Sequence, residues 1–100
     1  MARRSTFEAD AESVQGNEGA TVTFQAITMD GFREYQSSPT TEQELLVKHV
    51  VTWSGIVDDD DHALPSPADE PDVLGGLYIA EKNALLRLLL SGAPAIPAKN

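Results

Sequence analysis

The segment from Asp58 to Asp72 constrains this chain most: it holds seven acidic side chains, Pro65, Pro67 and Pro71, and no lysine or arginine. Proline lacks the amide hydrogen that helices and ladders use, and clustered carboxylates repel one another, so the segment reads as a solvated loop between two ordered parts. At about 15 residues it is long for a connection within a small domain. It also holds most of the charge: the chain of 100 residues has 16 acidic and 7 basic side chains, net −9, whereas the remainder sets 9 acidic residues against 7 basic ones.

One domain is expected, over residues 1–92, with a flexible Pro- and Ala-rich tail at 93–100. A chain this short buries about 60 to 65% of its unfolded surface, so its core is small and open to help from a partner or a second copy. The absence of cysteine excludes disulfides and thiolate metal sites. There is no run of 18 apolar residues, and Met1-Ala2-Arg3-Arg4-Ser5 leads into Thr6-Phe7-Glu8. Neither a membrane span nor a secretory signal is expected, which points to a soluble cytoplasmic protein. The acidic balance also argues against binding nucleic acid, whose phosphates would repel it.

Thr21 to Ile27 alternates at period 2 after the turn cluster Gly16-Asn17-Glu18-Gly19, predicting a strand. Its partner is sought in Ser5 to Phe7 or Ala11 to Val14, where Phe7 or Val14 could share a face with Phe24. A short helix follows from Met29 to Gln36, capped by Thr28, with Phe32 and Tyr35 on one face. Pro39 stops it. Thr41-Glu42-Gln43-Glu44 has capping-box spacing and marks a helix start, and Leu46, Val50 and Trp53 recur at i, i+4 and i+7, predicting an amphipathic helix from this box to about Trp53 that Ser54-Gly55 terminates. The last element, from Ile79 to Leu90, presents Leu85, Leu86, Leu88, Leu89 and Leu90, with Gly92 as its stop. The expected class is α+β: a short N-terminal β-hairpin or small sheet, then about three helices with the long acidic loop.

No reactive constellation emerges. His49 and His62 make no His-x-x-x-His pair, and counting Asp58 as the first position of a calcium loop puts His62 at position 5 and Ala63 where glycine belongs. Ser54-Gly55 lacks the nucleophile-elbow pattern, and Gly75-Gly76 has no following Lys-Ser/Thr. No catalytic residue, metal or cofactor is therefore expected. The informative features are surfaces: the leucine stripe, Trp53 and the acidic loop.

The order of short patterns resembles the tail assembly chaperones of long-tailed bacteriophages. The resemblance runs from Thr21 to Leu90 through Phe24-Gln25-Ala26-Ile27-Thr28, Phe32-Arg33-Glu34-Tyr35-Gln36, Glu44 to Ile56 with its Trp53-Ser54-Gly55, the acidic loop opening into Leu64-Pro65, and the Leu-rich helix after Tyr78. It implies a non-catalytic protein of the host cytoplasm, absent from the finished virion, that binds the tape measure protein and promotes assembly of tail-tube protein around it. Partner contact is then expected at Trp53, Leu85, Leu86 and Leu89, with Asp58, Asp59, Asp60 and Asp61 giving solubility or electrostatic steering. For Trp53 and the leucines the competing role is plain core packing. The other readings are an acidic DNA mimic that inhibits a DNA-processing enzyme, a structural virion subunit, and, for the leucine stripe, a homo-oligomer contact.

Overall fold

A computed structural model describes residues 6–37 and 41–91. The element order is β1 (Thr6–Asp10), α1 (Glu12–Gln15), β2 (Thr21–Gln25), α2 (Met29–Ser37), α3 (Glu42–His49), β3 (Val50–Ser54), a 3₁₀ helix (Pro71–Gly76) and α4 (Ile79–Ser91). The fold is α+β, as expected. The expected breaks at Pro39 and Gly92, the strand start at Ser5 and the tail 93–100 lie outside the described residues.

The strands form one antiparallel sheet in the order β1-β2-β3. Phe7 pairs with Phe24, their rings 5.4 Å apart, so the strand sought near Phe7 is the true partner of β2. The other candidate, Ala11 to Val14, turns instead into α1, whose C-cap Gly16 adopts φ 79°, a left-handed conformation that glycine reaches without steric cost. Ala11 N–H donates to Ala20 O at 2.8 Å and extends the ladder into this connection.

Two helix starts follow their caps. Thr28 Oγ1 accepts from Gly31 N–H at 3.0 Å at the head of α2. Thr41 and Glu44 close the capping box at α3: Thr41 Oγ1 accepts from Glu44 N–H at 3.1 Å, and Glu44 Oε1 accepts from Thr41 N–H at 2.9 Å. At its other end α3 departs from expectation. It stops at His49, whose Nδ1 lies 2.9 Å from Leu45 O, and the chain continues as β3. The β-branched run Val50-Val51-Thr52 favours the strand, and burial overrides the helical spacing. Thr23 pairs with Thr52 while Phe24 pairs with Val50, which leaves Val51 as the extra residue of a β-bulge. The bulge lets Val50 and Trp53, three apart, both point inward, and so a strand mimics the i, i+4, i+7 pattern of a helix face. Gly55 ends β3 rather than a helix. Its φ is 81°, and a Cβ there would lie 2.9 Å from Ala20 Cα, so only glycine fits without displacing Ala20 at the entry to β2.

The core lies between the inner face of the sheet (Val22, Phe24, Val50, Trp53) and the helices, with Leu45 and Leu46 from α3 and Ala84, Leu85, Leu86 and Leu89 from α4. Leu85 and Leu89 are 0% exposed. This corrects the expectation that Trp53, Leu85, Leu86 and Leu89 form a contact surface. The single chain buries all four, because α4 packs on α1 and α3 and Trp53 enters the same core from β3.

The acidic segment is likewise more ordered than a solvated loop. Leu64 N–H donates to Ile56 O at 2.9 Å, Trp53 Nε1–H to Leu64 O at 3.0 Å and Ser66 Oγ to Val51 O at 3.2 Å, while Pro67 is fully buried. The residues after the turn thus strap the outer edge of β3, and Gly75-Gly76 closes the 3₁₀ helix. Leu89→Ala is expected to cost about 2–5 kcal/mol through cavity formation, lowering the melting temperature by about 10 °C or more. Leu89→Asp is expected to abolish the helical circular dichroism altogether. A folded Leu89→Asp chain would contradict this packing.

Candidate functional site

Residues 57–63 fold into a tight hairpin. Val57 bridges Ala63, Asp58 N–H donates to His62 O at 2.9 Å, and Asp61 N–H donates to Asp58 O at 3.0 Å. Asp61 takes φ 64°, a left-handed conformation in which aspartate is enriched among non-glycine residues. The turn satisfies itself. Asp58 Oδ1 accepts from the backbone N–H groups of Asp60 and His62, each at 2.9 Å. The His62 amide chiefly holds the Asp58 carboxyl below its ordinary value, helped by the Asp60 amide and the His62 charge, with desolvation opposing them.

Asp59 ties this turn to the start of α4. Tyr78 Oη donates to its carboxylate, 3.1 and 3.0 Å from the two oxygens, and this hydrogen bond with the adjacent negative charge raises the phenol above its ordinary value. The Tyr78 hydroxyl thus links the turn to the head of α4. Its backbone N–H donates to Glu81 Oε1 at 2.8 Å and caps α4. Glu81 Oε2 in turn accepts from Gln15 Nε2 at 3.1 Å. The Gln15 amide also pairs with the Val57 backbone in both directions, donating to its carbonyl at 2.7 Å and accepting from its N–H at 3.0 Å, as a neighbouring strand would.

These groups border a polar cleft of about 280 Å³, rimmed by Asp58, Asp59, Asp61 and Glu81. Tyr78 is 61% exposed and Ile79 is 75% exposed at the same end of α4. The site therefore sets apolar side chains against a carboxylate turn. Such a surface accepts hydrogen bonds and cationic side chains, and it covers apolar groups brought alongside.

Of the expected contact residues, Asp58, Asp59, Asp60 and Asp61 come together in this one turn. Trp53, Leu85, Leu86 and Leu89 do not join them, although the Trp53 indole bonds to Leu64 just beyond the turn. Ligand atoms of Asp58, Asp60 and His62 lie within 4.8 Å of one another, all three residues exposed. One Asp58 oxygen of this trio already receives two amide hydrogens, so its evident work is to hold the turn. Sequence reasoning missed Gln15, Tyr78 and Glu81. The Tyr78-to-Glu81 spacing repeats half of a capping box and was readable. Gln15 also accepts from Asn17 Nδ2 at 3.2 Å, but the partners that tie it to the site, Val57 and Glu81, stand 42 and 66 positions away and leave no local signal.

Comparison with protein families, curated proteins and solved structures finds no match to this chain. Among the described residues no helix is long and apolar enough to cross a membrane.

Because the folded Asp58 pKa lies below the ordinary 3.8, its contribution to stability is fully present above that value and is lost as pH falls through the folded one. Asp58→Asn is expected to melt below the wild type at pH 6. The gap should close as pH is lowered toward 2, as followed by thermal melts; a gap independent of pH would show that the carboxylate charge does not stabilise the turn.

Proposed function

We propose that this chain is a tail assembly chaperone, a non-catalytic protein that binds the tape measure protein of a long-tailed bacteriophage while tail-tube protein assembles around it. It would act in the host cytoplasm and leave before the virion is complete. The observation that carries this reading is the closure of the segment bearing the resemblance. Glu44 to Pro65 is one continuous unit of helix, bulged strand and hairpin, locked by the Trp53 indole on the Leu64 carbonyl. Trp53, Gly55 and Leu64, which carry the resemblance, each hold a structural place in that unit.

The contact surface differs from the one the leucines suggested. With those leucines in the core, client contact falls to Tyr78 and Ile79 and to the acidic turn bonded to Tyr78. Covering an exposed isoleucine is worth about 1.5–3 kcal/mol. The carboxylates beside it favour clients that flank apolar patches with lysine or arginine, and they keep the complex soluble. The DNA-mimic alternative draws no support from this geometry. The aspartates curl into a single turn, and Asp58 spends an oxygen on its own backbone, whereas a mimic spaces carboxylates along a face.

Co-expression with a tape measure protein tests the reading. The wild-type chain is expected to keep it soluble and to copurify with it. Ile79→Asp, a surface change that should move the melting temperature by no more than about 4 °C, is expected to recover about tenfold less. A tape measure protein that aggregates equally with or without the wild-type chain removes the chaperone assignment, and equal recovery with the variant removes Ile79 from the contact.

A further inference from the structure

We infer that the outer edge of β1 is a strand-addition site, which takes up an extended segment of a partner polypeptide in which apolar and basic residues alternate. The register decides which backbone groups face outward. Ala11 N–H donates to Ala20 O, and because β1 and β2 keep one antiparallel register, the bonded pairs continue as Ala9 with Val22 and Phe7 with Phe24. The N–H and C=O groups of Thr6, Glu8 and Asp10 therefore point away from β2. β1 stands at the end of the sheet, and among the described residues no strand pairs with that row. The opposite edge is treated differently, since the chain around Leu64 and Ser66 straps β3. β1 also carries no proline, lysine or bulge, the common means of blunting an edge.

The two faces of β1 specify what the added strand carries. Phe7 and Ala9 lie on the inner face, opposite Phe24 and Val22, yet they are only half-buried, whereas Val22 and Phe24 are 0% exposed. Apolar side chains set beside Phe7 and Ala9 would extend the core over them. On the outer face Thr6, Glu8 and Asp10 are exposed. Asp10 Oδ1 accepts from Glu12 N–H at 2.8 Å and so serves α1. Glu8 stands across from Thr23 and makes no ion pair among the described residues. A lysine or arginine directly opposite Glu8 therefore gains a cross-strand ion pair without breaking an existing one.

The same carboxylate turns away a second copy. Antiparallel pairing of two β1 strands through Thr6, Glu8 and Asp10 sets Glu8 against Glu8, like charges directly opposite, between chains that each carry −9. The edge thus rejects self-association and accepts a basic strand. Main-chain hydrogen bonds supply the affinity, and the alternating side chains select the partner. This site does not rest on the chaperone reading, and it uses none of the residues of the Tyr78–Ile79 patch.

A synthetic peptide of about seven residues that alternates valine and lysine, long enough to span β1, tests this by titration into the full chain. Binding is expected to slow amide hydrogen exchange at Thr6, Glu8 and Asp10. Lysines placed opposite Glu8 point their backbone N–H groups at β1, and the valines point theirs away. Methylating the lysine backbone nitrogens is therefore expected to weaken binding at least about tenfold, while methylating those of the valines leaves it unchanged. Glu8→Gln is expected to weaken it by about threefold. Glu8→Pro should weaken it at least about tenfold with the fold retained, because the N–H it removes takes no part in the ladder to β2. If Glu8→Pro unfolds, the methylated peptides still decide, since they leave the protein unaltered. Ile79→Asp is expected to bind the peptide as the wild type does, which separates this site from the client contact. No binding up to about 1 mM, equal affinity for the two methylated peptides, or protection confined to the aspartate turn overturns the proposal, as does a wild type whose β1 edge proves in sedimentation and exchange to be covered by a second copy.

Discussion

The fold depends on one apolar core that joins the inner face of the sheet to the leucines of α3 and α4, and β3 supplies two of its members. Two short strands are marginal in water and offer little apolar face. The third strand adds Val50 and Trp53 to Val22 and Phe24, and the four share one core with Leu85 and Leu89. The bulge at Val51 makes this possible, since without it Val50 and Trp53 would lie on opposite faces. Gly55 then turns the chain at a point where any side chain would strike Ala20.

Once β3 is in place, the acidic segment can no longer be an idle loop. Its far side returns along the strand edge, where Ser66 Oγ covers the Val51 carbonyl, Leu64 O takes the Trp53 indole hydrogen and Pro67 is buried. Negative charge is thereby confined to the tip, where Asp58 satisfies its own turn and Asp59 reaches Tyr78. The Gln15 amide, acting as a substitute strand partner to Val57 and as a donor to Glu81, joins the first connection of the chain to the last helix. The hairpin is therefore anchored at its base as well as at its tip.

The result is a helix with two unlike ends. Near Tyr78, α4 meets carboxylates and exposed apolar side chains; near Leu90 it borders a mostly apolar groove.

What the sequence determined alone was whatever rests on near neighbours: the strand at Thr21–Gln25, the caps Thr28 and Thr41 with Glu44, the helix Ile79–Ser91, and the placing of negative charge in one segment. These depend on hydrogen bonds and periodicities spanning a few residues, which a linear reading contains. Tertiary structure decided the rest. Leu46, Val50 and Trp53 match a helix face by spacing, and only a neighbouring β2 with a bulge opposite Thr23 and Phe24 turns the last two into a strand. Whether Leu85 and Leu89 greet a partner or a core depends on a sheet assembled from both halves of the chain. Gln15 finds its role 42 and 66 residues away, at distances where nothing local marks which groups will meet.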